Sequence, residues 1–562
     1  MSKKLVGGSF EPPSGSRRLD PMDAQHRLEV SVILRRCKPS PDPSEQSVLP
    51  PGRRRYMTRE QLRQHGSSPD HRQRVTDFAA EHGLEVVSNS SRQRTVVLAG
   101  TTTQLQAAFG VDGFYHYEQD GKTHYGFTGE IHLPEPLHEA VEAVLGLHNR
   151  PLAGPRVVAT SGSPGDHASS GNVAGRSVSE LRQRYAFPEG ATGKDQTVAV
   201  IELAGGYRLA DVDTFASAAG LEQIKLRDVS VGSASNQPAE AALIEELTSL
   251  LTGSQEITAE QAQSVGPALA TFETTMDIEL IAAFAPDAQL LAVFTENSER
   301  GLWQAVQELV HTIEPQPTVI NLSWSWNETD EIRSDGSVNP LVTAINGALR
   351  DAANLGITFC TSSGDDGSAP DSDGKASVHF PASSPFALGC GGTQFASDDS
   401  TAVEEVWSRP YKGLPGASSG GVSRIFELPD WQDADAVPPS PLDPKKTGRG
   451  VPDVAAVAAA DSCCPIVLGG VRIPAMGTSA SAPLWAALLA CLAEKLGLPH
   501  GHFNPRLYQL AREQPDVLHS VTIGSNDTSG NSDDHYPAAI GWDPCTGLGT
   551  PIGQKLLTGL ED

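Results

Sequence analysis

Beyond residue 176 the chain repeats one pattern, in which a short uninterrupted apolar run is followed by a longer amphipathic segment and then by another apolar run. Thr197-Val198-Ala199-Val200-Ile201 and residues 289–294, 318–322 and 357–360 are such runs, and helices are predicted near 210–219, 272–284, 301–312 and 340–354. A strand that is apolar on both faces must be covered on both, and strands separated by helices run parallel. The pattern therefore constrains this part of the chain to an α/β fold, a parallel sheet flanked by helices, with chemistry expected at the carboxyl ends of the strands. The Ala-, Glu-, Leu- and Gln-rich stretch 239–268 is predicted to add surface helices with no evident site.

The front of the chain follows a different rule. A strand at 28–34 is succeeded by helices at 58–65 and 69–82, and a second round gives a strand at 94–98, a helix at 102–109, a strand at 113–117 and a helix at 135–145. This predicts a small α+β domain of the ferredoxin-like kind. Residues 151–176 then turn to Pro, Gly, Ser and Ala without apolar periodicity, as in an exposed linker open to cleavage. Three parts result: a domain over 1–150, a linker over 151–176 and a large α/β body over 177–562.

Charge separates the parts as clearly as pattern does. Residues 1–172 hold 20 Lys/Arg against 19 Asp/Glu, whereas residues 173–562 hold 22 against 50, which accounts for the overall net charge of −27. Ten of the 16 histidines lie in the first piece. An acidic body repels phosphates, which argues against nucleic acid as a partner. The split points to sensitivity to pH, although acidic surfaces also simply favour solubility. No apolar run approaches the roughly 20 residues that span a bilayer, and no standard secretory signal is visible at the start. Seven cysteines, two of them adjacent at Cys463 and Cys464, make no disulfide or metal framework and are expected as small core residues.

Three segments offer chemistry. In Gly477-Thr478-Ser479-Ala480-Ser481-Ala482-Pro483, ahead of an apolar helix over 484–496, Ser479 falls at a helix N-terminus, where N–H groups favour a developing anion. A plain N-cap is the alternative. A serine nucleophile needs a base, and the only near match to a subtilisin-type histidine motif, His65-Gly66-Ser67, lies outside the α/β body. Glu273 and Asp277 are i and i+4 on a predicted helix, so they are neighbours. If buried they share a proton and titrate as a pair, and such a Glu can take a proton in acid, where His is already charged; otherwise they are a solvated helix face. Asp365, in Thr361-Ser362-Ser363-Gly364-Asp365-Asp366-Gly367 after a buried strand, could donate a hydrogen bond to an oxyanion when protonated, or could shape an Asx turn.

Together these segments resemble the sedolisins, the serine-carboxyl peptidases. Further stretches that match are Val200-Ile201-Glu202-Leu203-Ala204-Gly205-Gly206-Tyr207, Ser323-Trp324, Gly420-Gly421-Val422-Ser423-Arg424-Ile425-Phe426 and Gly541-Trp542-Asp543-Pro544-Cys545. The resemblance implies a subtilisin-like body behind an inhibitory prodomain, with Ser479 as nucleophile, Glu273 as general base, Asp277 supporting Glu273 and Asp365 completing the oxyanion hole. Glu202 and Trp324 would extend the proton network. It implies an acid-acting endopeptidase that is self-processing, secreted and monomeric, whose partners are polypeptide substrates and its own prodomain. It also implies one Ca2+ ion, with ligands at Ser520, Val521, Ala539, Gly541 and Asp543. The family has Asp where Ser520 stands, which weakens an oxygen-ligand site; Asp527, Asp533 or Asp534 could compensate.

Overall fold

The computed structural model describes residues 1–562 except 1, 13–14, 120, 154–174, 369–375, 398, 400, 415, 440–446, 528–535 and 562. In the front domain β1 (Arg27–Leu34), α1 (Pro69–Glu81), β2 (Glu85–Ser90), β3 (Thr95–Thr101), α2 (Thr102–Phe109) and β4 (Val141–Leu145) form an antiparallel sheet in the order β2-β3-β1-β4. That order with its two helices is the ferredoxin-like arrangement predicted. Helix α2 starts where expected because Thr101 and Gln104 cap each other's backbone N–H groups, and it ends on Gly110 in the left-handed region at φ 68°.

The predicted helix over 135–145 does not form. Glu135–Leu137 makes one 3-10 turn and the chain then enters β4, which pairs antiparallel with β1. Pro134 and Pro136 deny the segment two N–H donors, and β-branched Val141 and Val144 suit a pleated, half-buried surface.

The body is built on β5 (Thr197–Glu202), β6 (Lys225–Ser230), α3 (Gly266–Phe284), β7 (Gln289–Phe294), α4 (Glu299–His311), β8 (Val319–Leu322), α5 (Pro340–Asn354), β9 (Thr358–Ser362), β10 (Leu388–Phe395), β11 (Glu404–Val406), β12 (Val454–Val457) and α6 (Thr478–Leu496). The sheet runs β6-β7-β5-β8-β9-β10-β11, with β12 also paired to β10; only β11 is antiparallel. Strands β5, β8 and β9 are buried along their whole length, as their unbroken apolar runs require. Helices α3 and α6 are buried on nearly every side, so both lie inside the body rather than on its surface. The stretch 239–268 forms helices Ala241–Thr252 and Ala259–Ser264; they are less superficial than predicted, since Ile244, Leu247 and Leu251 join the core that holds α3. Six of the seven cysteines are buried and none is bonded, matching their reading as core residues.

The front domain sits on α4 and α5. Ile33, Ala143 and Leu145 share one apolar cluster with Val306, Leu309, Leu341 and Ile345. Arg59 donates to the carbonyls of Leu309, Val310 and Ile313, satisfying the C-terminal end of α4 where the helix dipole favours a cation. Ion pairs cross the same seam in both senses: Arg36 to Asp351 at 2.6 Å and Arg150 to Glu331 at 3.3 Å carry the cation on the front domain, Arg300 to Glu29 carries it on the body, and His148 Nε2 lies 3.2 Å from Glu299. The linker expected over 151–176 lies largely outside the described residues. Among the described residues no helix is long and apolar enough to cross a membrane.

Candidate active site

Two strand ends and two buried helices converge on one pocket. It is lined by Glu273 from α3, by Ser323, Trp324 and Ser325 just past β8, by Ser362, Gly364 and Asp365 at the end of β9, and by Thr478 and Ser479 from the first turn of α6. The expected residues Ser479, Glu273 and Asp365 therefore share one cavity at the carboxyl edge of the sheet, with Asp277 and Glu202 behind it.

Ser479 is held by its helix and by Ser323. Its Oγ donates to the Ser323 carbonyl at 3.1 Å and lies against the Glu273 carboxyl. Pro483 has no N–H to offer the Ser479 carbonyl four residues back, and that carbonyl instead accepts from Ser323 Oγ at 3.4 Å. The same Ser323 Oγ donates to Asp277 Oδ1 at 2.7 Å, while Asn321 Nδ2 donates to Asp277 Oδ2 at 2.9 Å. Asp277 is fully buried, one helical turn from Glu273. Glu202, also fully buried, receives Trp324 Nε1 and Thr274 Oγ1 on Oε2, each at 3.1 Å.

These carboxyls hold protons at pH values where a surface carboxyl would be ionised. Burial pushes Glu202 up to about 8 against the pull of Trp324 and Thr274. Burial drives Asp277 well above the usual range, the neighbouring Glu202 and Glu273 push it further, and Ser323 and Asn321 oppose the rise. Glu273 is raised by burial, then held down by the Ser479 hydroxyl and pushed up again by Glu202 and Asp365. Glu273 Oε1 has no hydrogen-bond partner, a buried acceptor available to a proton. These groups shift one another, so they titrate as a set.

On the opposite wall Asp365 Oδ1 accepts from Thr478 N–H at 2.8 Å and from Thr478 Oγ1 at 2.7 Å. Its Oδ2 lies 2.8 Å from where a Cβ on Gly477 would stand, and Gly477 has φ 91°, so only glycine fits between the strand end and the helix. The histidine lining the pocket, His379, is directed to Ser325 Oγ at 3.1 Å and Asp366 at 3.5 Å rather than to Ser479. His65 remains in the front domain, bonded to the Pro39 carbonyl at 2.7 Å.

Ser323 and Thr478 stand out in the sequence only as members of longer stretches, and neither Asn321 nor His379 belongs to one of the chemistry-bearing segments. Asn321 carried a signal, since a polar amide inside the apolar run 318–322 demands a buried partner.

The expected calcium ligands form a loop that is satisfied from within. Asp543 Oδ1 accepts the N–H groups of Cys545 and Thr546, both at 2.8 Å, and Oδ2 accepts Thr546 Oγ1 at 3.0 Å and Ala539 N–H at 3.3 Å. Ser520 Oγ receives the Gly541 N–H at 3.4 Å. Val521, Ala539 and Gly541 could add carbonyls, but the set contains one carboxylate, both of whose oxygens already have donors. It does not fit a tightly held calcium ion. Asp533 and Asp534 lie outside the described residues. Among the described residues no group of three or more His, Cys, Asp or Glu side chains is arranged to hold a metal.

Residues 14–150 match the family described as Pro-kumamolisin, activation domain, and residues 262–507 match the Subtilase family. Over its length the chain is 36% identical to kumamolisin of Bacillus sp. (strain MN-32), covering 96% of this chain and 93% of that protein. It is 26% identical to tripeptidyl-peptidase sed5 of Aspergillus fumigatus, covering 99% of this chain and 97% of that protein. Among solved structures, Pseudomonas sedolisin (serine-carboxyl proteinase), complexed with two molecules of pseudo-iodotyrostatin, superposes with a TM-score of 0.55 at 26% identity, covering 69% of this chain and 98% of that one.

Proposed function

We propose, since this chain belongs to the sedolisin family of serine-carboxyl peptidases, that it is an acid-acting endopeptidase made as a precursor that cuts away its own prodomain. The observation that carries the reading is the single pocket shared by Ser479, Glu273 and Asp365, with Asp277 tied to the nucleophile's own helix through Ser323. Ser479 Oγ attacks the peptide carbonyl as Glu273 takes its proton; Glu273 returns that proton to the leaving amine, and water repeats the sequence on the acyl-enzyme. Burial raises Asp277, Glu202 and Glu273 alike, and the Ser479 hydroxyl, which pulls Glu273 down, is what favours a negative charge on Glu273. Asp365, fixed by Thr478, donates the proton on its other oxygen to the oxyanion.

The pH dependence follows from the proton count. Too far into acid, Glu273 is protonated and cannot act as a base. As pH rises, Asp365 loses the proton it must donate and a second charge enters the cluster, so the rate falls. Acid-incubated protein is expected to hydrolyse denatured casein with a bell-shaped profile peaking below neutrality, and a maximum above pH 7 would overturn the reading.

Acid also loosens the precursor in this scheme. Glu331, which faces Arg150 of the prodomain tail, is raised by burial and so gives up its charge early in acidification. Losing that charge removes the attraction to Arg150 and changes the fit along the seam. The chain is proposed to work as a secreted monomer on polypeptides.

Calcium enters no step. We propose that it binds weakly, because the loop offers one carboxylate where the resemblance implies two. Thermal unfolding of the wild type is expected to change little between millimolar calcium and a chelator. Ser520→Asp, which restores the second carboxylate, should raise the melting temperature by several degrees in calcium alone. An equally large calcium shift in the wild type would show that the existing ligands suffice.

A further inference from the structure

The prodomain's last described residues run into the catalytic pocket, and one side chain holds their backbone there. Ala153 lines the cavity together with Ser479, Glu273 and Asp365. Asn297 Oδ1 accepts the N–H of Leu152 at 2.9 Å and that of Ala153 at 3.3 Å, and Asn297 Nδ2 donates back to the Ala153 carbonyl. One amide thus engages the N–H and C=O of a single residue, as a neighbouring strand would, and it touches nothing specific to the side chain of that residue. Leu152 is buried in the apolar cluster that also contains Leu203, Ala270 and Trp324.

Asn297 belongs to the body, not to the prodomain. It follows β7, whose last residue Phe294 pairs with Glu202 of β5, so it stands on the carboxyl edge of the sheet that carries the proton network. It directly precedes Ser298, the residue that caps α4 by accepting the Gly301 N–H at 3.1 Å, and this neighbour fixes the amide in place. Upstream of Leu152 the chain is already committed to β4 and the prodomain sheet, so a bond that can be opened without unfolding lies downstream. The residues gripped by Asn297 are therefore on the acyl side of the cut.

We infer that Asn297 is a positioning residue for substrate, holding the acyl-side main chain of any bound polypeptide by the contacts it makes with Leu152 and Ala153, with an aliphatic side chain favoured at the position Leu152 fills. This rests on the peptidase reading above and adds to it a residue that acts in every turnover rather than only in the latent precursor. A main-chain clamp is independent of sequence, so it supplies affinity and register, while the buried Leu152 site supplies preference.

The test uses processed enzyme and a fluorogenic peptide whose acyl side is Arg-Pro-Leu-Ala, together with analogues in which each acyl-side N–H in turn is methylated. Asn297→Ala should raise KM about tenfold while leaving kcat and the pH profile unchanged, the pattern expected when binding common to substrate and transition state is lost. In the wild type one or two of the methylated peptides should show a comparable rise in KM, and the same peptides should show no further rise in Asn297→Ala, since both changes remove one interaction. Asn297→Asp provides a second variant of the same shape. A protonated carboxyl can accept and donate as the amide does, so its KM should lie near wild type in acid and climb toward that of Asn297→Ala as it ionises. Unchanged KM in Asn297→Ala, an identical methylation pattern in wild type and variant, or a loss confined to kcat would each overturn the inference and leave Asn297 as a latch for the prodomain alone. A wild-type enzyme that cuts none of these peptides, nor casein, would instead overturn the peptidase reading itself.

Discussion

Full-length precursor carrying Ser479→Ala is expected to remain uncut when purified and incubated alone in acid, and its hydrolysis of casein should fall by at least about 10⁴-fold. The substitution removes one oxygen, whose hydrogen bond goes to the Ser323 carbonyl at 3.1 Å. Losing one such bond costs on the order of 1 kcal/mol, too little to unfold a domain of this size. The helix turn that carries the residue keeps its other ties, including the Ser323 bond to the residue's own carbonyl. Inactivity with a native melting curve would then be a loss of chemistry. Addition of a trace of active wild type to the variant distinguishes the remaining possibilities: cutting in trans shows that the linker is accessible and that the missing component was the nucleophile. Processing of the variant by itself, free of other peptidases, would mean that the precursor is not self-cleaving.

Much of this architecture was legible in the chain because burial leaves a periodicity. Strands covered on both faces, such as 289–294, read as continuous apolar runs, and the observed strand Gln289–Phe294 has the predicted limits. Where two periods compete the reading fails: residues 135–145 place apolar side chains at helical spacing, yet two prolines and the pairing edge offered by β1 turn the second half into a strand. The acidic residues at the site were legible by a different route, since Glu273 and Asp277 at i and i+4 are an arrangement that an exposed helix gains little from. Their supporting residues were not. Ser323, Asn321 and Thr478 acquire their partners from elements 44 to 156 residues away in the chain; Asn321 signals that it needs a buried partner, but no local pattern says which. Asn297 was hidden for the same reason, its partners lying 144 and 145 residues upstream.

The sharpest consequence of the site's asymmetry concerns Asp365. Its Oδ1 accepts two donors from Thr478, and the oxyanion role proposed for the residue is assigned to Oδ2. Asp365→Ala removes that group and should lower kcat by about 10²- to 10³-fold, the usual cost of one oxyanion donor. Asp365→Asn is the more telling change. Its carbonyl oxygen can keep both Thr478 bonds, which directs the amide N–H₂ to the place of Oδ2, where it donates at every pH. Activity should recover in part, and the alkaline limb should move upward, because the proton whose loss closed the window in the wild type is no longer required. The limb should then be governed by the next proton to leave the set of Glu202, Asp277 and Glu273, all three raised by burial. Measured as kcat/KM across the pH range, an alkaline limb in Asp365→Asn coincident with that of the wild type would remove Asp365 as the acid that sets the optimum. The role would pass to the Glu202 and Asp277 pair behind the general base.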